Sequence, residues 1–178
     1  GVVRLATGAS ENGAGGDIEL TVGAGTIGDG GSILVTAGLT EDAVGGSVDI
    51  TSGVGTQTDS GSISLNTADS GPAGVSGTIS LETGAAKAGD SGRVVLRSGS
   101  AMNGAGGDVS IEVGEGNAGV GGDALISAGK STGMSGGSVV LTSGVGTTSS
   151  SGSIRLNTAD AGAAGVSGSV ELTTGQSS

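Results

Sequence analysis

The side chains here that could do chemistry are 17 carboxylates and many Ser and Thr hydroxyls; the chain has no His and no Cys. Carboxylates do acid–base work when they are clustered in a groove with a partner of shifted affinity for the proton. Glu11, Asp29, Glu41, Asp42, Asp59 and Asp90 are instead spread through Gly-rich stretches, where turn formation and solubility account for them. The absence of Cys removes disulfide staples and thiolate metal sites. The abundant glycines form no phosphate loop, because no G-x-x-x-x-G-K-[S/T] follows a strand pattern. No catalytic, cofactor-binding or metal-ligating residue is assigned on these grounds, no cofactor is implied, and the chain reads as a non-enzyme.

What must position these groups is a repeat. The string G-[small/polar]-[V/I]-x-[L/I/V]-x-[small]-G opens at Gly1, Gly16, Gly31, Gly46, Gly61, Gly77, Gly92, Gly107, Gly122, Gly137, Gly152 and Gly168, fifteen residues apart except for two steps of sixteen. A fixed short period with no other kind of segment is the signature of an array whose units contact only their neighbours. A longer period overlies it. GSVDITSGVGT at 46–56 returns as GSVVLTSGVGT at 137–147, and LNTAD at 65–69 returns at 156–160, a shift of 91 residues. One array of residues 1–178, made of two duplicated six-repeat blocks, 1–91 and 92–178, is therefore expected. Because the text opens and stops inside a repeat, an excerpt of a longer array is expected too.

Within each repeat the first eight residues read as a strand. In 46–53, Val48 and Ile50 alternate with Ser47, Asp49 and Thr51, the two-residue period of a half-buried strand. The same apolar pair recurs as Val3/Leu5, Ile18/Leu20, Ile33/Val35, Ile63/Leu65, Ile79/Leu81, Val94/Leu96, Val109/Ile111, Val139/Leu141, Ile154/Leu156 and Val170/Leu172, with Ala124/Ile126 the weak copy. The intervening positions of the alternation carry Arg4, Glu19, Asp49, Arg97, Glu112, Arg155 and Glu171, which must face water. The stretches that follow, such as 9–15 and 130–136, are too short for a crossover helix. They are rich in the residues that make tight corners. Their third position is always small, from Ser10, Gly25 and Thr40 to Ala161, which would let the returning segment lie close to the strand.

The composition has no Phe, Tyr or Trp, one Pro (Pro72) and 42 Gly in 178 residues. Without aromatic rings a thick core cannot be filled. The expected fold is all-β: a parallel β-solenoid (β-helix) of about 12 coils of 15–16 residues with a thin Val/Ile/Leu core, roughly 57 Å long at one strand spacing per coil. Neither end carries a helix, charge cluster or Pro to cover a solenoid's open edge. No apolar run approaches the ~20 residues that cross a membrane, so no membrane insertion is expected. The net charge of −11, with six scattered Lys and Arg, argues against nucleic acid. The nine-residue Gly-Asp motif of calcium-binding repeat rolls is missing, since Asp29, Asp59 and Asp90 fall in alternate repeats of the first half only.

On these repeats the whole chain resembles Gly-rich, Ser/Thr-rich parallel β-solenoid repeat proteins of the secreted, cell-surface or fibre type. In coil length it is also similar to the ice-binding β-solenoids. The first resemblance implies a non-enzymatic structural β-solenoid segment of an extracellular fibre, filament or cell-surface protein, whose partners are copies of itself stacked end to end or laterally. The second implies, as the alternative, an ice-binding (antifreeze) solenoid, with ice or another repetitive surface as partner. Its surface-binding face would be a flat row of Thr21, Thr36, Thr51, Thr142 and Thr173. Asn66, Glu82, Arg97, Glu112, Ser127 and Asn157 interrupt that row, while the column Thr7, Ser52, Thr67, Thr83, Ser98, Ser143, Thr158 and Thr174 is more regular. Hydroxyls bonding along a ladder would explain the second column equally well.

Overall fold

A computed structural model of the chain describes residues 1–177; the final residue of the second duplicated block, Ser178, lies outside the described residues. Extended segments alternate with sharp corners on the period of the sequence. Three-residue bends fall at 11–13, 26–28, 41–43, 56–58, 87–89, 102–104, 117–119, 132–134 and 147–149, and two-residue turns at 72–73 and 163–164. The two turns occupy the two sixteen-residue repeats, where one extra residue and, in the first, Pro72 tighten the reversal. Contacts along the chain divide it into two units, Gly1–Gly84 and Ala85–Ser178.

The backbone between corners is extended. Hydroxyls at one position of a segment bond the side chain two residues away, which requires alternate side chains to share a face. Thr21 Oγ1 donates to Glu19 Oε1 at 2.9 Å, Ser47 Oγ to Asp49 Oδ2 at 3.1 Å, Ser80 Oγ to Glu82 Oε1 at 2.6 Å and Ser110 Oγ to Glu112 Oε1 at 2.8 Å. In the segments that carry these bonds the two-residue alternation of the sequence is thus realised locally, with the bonded polar side chains on one face.

The segments do not pair. Among the described residues there is no strand, no helix and no buried residue of any kind. This overturns the all-β parallel β-solenoid of about 12 coils, its thin Val/Ile/Leu core and the resemblance to β-solenoid or β-helix proteins. Val48 keeps 53% of its surface exposed and Ile50 71%. The chain exposes 17947 Å² in all, where a compact chain of this size exposes about 7,500 Å² and a fully extended one about 23,500 Å². The physical reason lies in the repeat itself. Each repeat offers only two regularly placed aliphatic side chains to bury against the ordering of fifteen residues within one chain. Its corner half carries apolar residues at scattered places, such as Ile27, Leu39, Val44 and Val75, and adds no second regular apolar row.

Candidate functional site

The best-defined geometry of the molecule is at its corners, and it is built by small residues. Gly46 N–H donates to Gly38 O at 3.0 Å and Gly61 N–H to Gly53 O at 2.9 Å, so these two corners are closed by a bond between the glycine that ends one segment and the glycine that opens the next. The same bonds recur 91 residues on, from Gly137 to Gly129 O at 3.0 Å and from Gly152 to Gly144 O at 2.9 Å. In the longer repeats the closure is tighter: Gly74 N–H bonds Gly71 O at 3.1 Å and Gly165 N–H bonds Gly162 O at 3.0 Å. Ser70 Oγ adds a bond to Gly74 O at 3.0 Å.

Another corner type needs a left-handed glycine instead. Gly28 has φ 87°, Gly89 φ 92° and Gly119 φ 91°, a conformation that costs other residues because Cβ crowds the following carbonyl. Gly28 and Gly119 are also 91 residues apart, so the duplicated text folds into duplicated local geometry.

The small third position of the corner matters, though not as the sequence suggested. Thr40, Gly55, Ser131 and Gly146 are among the few half-buried residues of the chain. Gly55, Ser131 and Gly146 meet the backbone of their own corner rather than a facing strand. A Cβ at Gly55 would strike Asp59 O and lie 2.8 Å from Thr58 O, and one at Gly146 would strike Ser150 O and lie 2.6 Å from Ser149 O. Ser131 Oγ accepts the Met134 N–H at 2.9 Å, the local side-chain turn that Ser favours.

One contact escaped the sequence reading. The side chain that closes a segment sits against the glycine that opens the next: Thr7 on Gly16, Val22 on Gly31, Ala37 on Gly46, Ser52 on Gly61, Thr67 on Gly77 and Val113 on Gly122. A Cβ on Gly31 would lie 2.6 Å from Val22 Cγ1. Thr7 Oγ1 also donates to Gly16 O at 2.9 Å. The signal was present in the pairing of an unvarying glycine with a small or β-branched residue nine or ten positions earlier. The column of Thr7, Ser52, Thr67 and Thr158 is therefore a corner clasp, not a ladder inside a core.

The proposed binding threonines Thr21, Thr36, Thr51, Thr142 and Thr173 are all exposed. The Thr21 hydroxyl is engaged with Glu19. Thr21, Thr36 and Thr51 belong to the first unit, Thr142 and Thr173 to the second, and no sheet among the described residues holds neighbours in one plane. Glu41 and Asp42 share the bend 41–43, and Glu11, Asp29, Asp59 and Asp90 lie in or beside other corners. Among the described residues no group of three or more Asp or Glu could hold a metal ion, no pocket opens, and no helix is long and apolar enough to cross a membrane. Comparison with family models, with curated proteins and with solved structures finds no match to this chain.

Proposed function

We propose that this chain is a non-enzymatic structural repeat segment of an extracellular fibre, filament or cell-surface protein, and that it works by associating with copies of itself. The observation that carries the reading is a local closure that recurs along the chain. The same corner bond closes 38–46, 53–61, 129–137 and 144–152, and between corners the same Val/Ile–Leu pair is offered to the outside. A catalyst concentrates unlike groups at one place. A scaffold distributes one element along its length, as this chain does. Extended backbone with unpaired ladder groups and an apolar face is the material from which strands add to strands between chains. An extracellular setting suits a chain whose 178 residues include no thiol or aromatic ring and only two Met to be oxidised.

Sedimentation velocity across a concentration series, with electron microscopy of the same samples, tests this reading. Concentration-dependent growth into fibres or regular oligomers is expected. A species that stays monomeric throughout would overturn it.

A further inference from the structure

The few cations of the chain are placed by the repeat. Arg4 and Glu19 occupy the fourth position of successive repeats, as do Arg155 and Glu171; Arg93 and Asp108 share the second position; Arg97 shares the sixth with Glu82 before it and Glu112 after it. Lys130 follows Glu115 at the ninth position, in the corner. Of six Lys and Arg, only Lys87 has no carboxylate at the equivalent place one repeat away. Acidic residues are 17 of 178, so unguided placement would put few cations in this relation. All of these charged residues are exposed. The Arg residues and their acidic counterparts occupy the even positions of the repeat, the same alternate positions whose hydroxyls and carboxylates bond one another in several segments.

From this register we infer that copies of the chain associate through their extended segments in parallel, staggered by one repeat, so that each segment of one copy lies beside the next segment of its neighbour. The inference rests on the structural reading above and specifies its geometry. With that stagger Arg4 meets Glu19, Arg93 meets Asp108, Arg97 meets Glu112 and Arg155 meets Glu171, while the Val/Ile and Leu positions meet their own kind. The one like-charged neighbour at these positions is Asp108 with Asp123. Unstaggered pairing would instead set every charge against itself, in a chain of net charge −11, and directly opposed like charges destabilise a strand pair. A contact that is offset in this way is heterologous and does not close on itself. It therefore adds copies without limit, the geometry of a filament.

Two charge-reversed chains test the stagger. One carries Arg93→Asp and Arg97→Glu; the other carries Asp108→Arg and Glu112→Arg. Each alone should self-associate about tenfold or more weakly than the natural chain in sedimentation at low salt. An equimolar mixture should recover association and incorporate both chains, because the acidic groups introduced into one chain would then lie beside the basic groups introduced into the other. Weakening without recovery on mixing would mean that these charges meet within a single chain, and equal association of all three chains would mean that they do not meet at all; either result overturns the stagger while leaving self-association standing. A natural chain that remains monomeric at every concentration overturns the stagger and the structural reading together.

Discussion

The corner 53–61 and the segment 61–67 that follows it differ in where their partners lie. The corner satisfies itself: Gly61 N–H reaches Gly53 O, the third-position Gly55 tucks against the carbonyls of Thr58 and Asp59, and Ser52 rests on Gly61. All of these contacts span fewer than ten residues. The segment has no such resource. Ser64 Oγ bonds Asn66 Oδ1 at 3.4 Å along the polar face, but Ile63 and Leu65 remain 53% and 71% exposed. Its backbone donors and acceptors point sideways, where only another segment could meet them. Local closure costs little loop entropy, whereas pairing segments fifteen residues apart must first be offset by burial that two aliphatic side chains do not provide.

The strongest way to break the comparison is to damage a closed corner and spare an open one at the same position of the repeat. Gly55 and Gly146 have no room for a Cβ, while Gly25 and Gly116, also third in their corners, have nothing within 4 Å. Gly55→Ala and Gly146→Ala should abolish the slow exchange of the Gly61 and Gly152 amides, an acceleration of about tenfold or more. Gly25→Ala and Gly116→Ala should leave every corner unchanged, as followed by amide shifts and exchange. Equal responses at the two kinds of glycine would mean that the corners are not distinct.

A smaller effect is expected at the left-handed corners. Gly28→Ala places an L side chain at φ 87°, at a cost of about 1–2 kcal/mol. The bend 26–28 should move out of this conformation, visible in the backbone couplings and shifts of residues 26–29, with no change at corner 53–61. Replacing Gly28 with D-alanine, which favours positive φ, should keep it.

The smallest effect concerns the exposed threonines. Without a sheet to set Thr21, Thr36 and Thr51 at a regular spacing, the monomeric chain should show freezing hysteresis equal to that of an albumin control, and Thr36→Lys or Thr51→Lys should change nothing. Hysteresis lost on those substitutions would mean that the segments assemble a flat face in solution.

How far the fold could be read from the residues follows the same division. The alternation of Val48 and Ile50 with Ser47, Asp49 and Thr51 specified an extended segment with two faces, and the Gly-rich stretches specified corners every fifteen or sixteen residues. Both are written within one repeat. Pairing is not, because a column such as Val48, Ile63 and Ile79 suits a stacked sheet and an unpaired array of like segments equally well. Only the balance of burial against ordering separates the two, and it goes against the solenoid. The corner clasp was legible in principle, since Val22 on Gly31 and Val113 on Gly122 repeat at the 91-residue shift. It was hidden because an unvarying glycine at a strand's start is as readily explained by the turn before it. The candidate interface charges were visible one at a time, as water-facing groups. Their relation appears once the repeats are aligned by their opening glycines.

Amide hydrogen exchange, residue by residue, on the chain diluted until sedimentation shows a monomer, separates closed corners from unpaired segments. Slowed exchange is expected at Gly46, Gly61, Gly137 and Gly152, whose amides close corners, and free exchange at Ile50, Leu65, Leu141 and Leu156 in the segments between. Joint protection of those four segment amides in the monomer would show strands paired within one chain and would contradict that division.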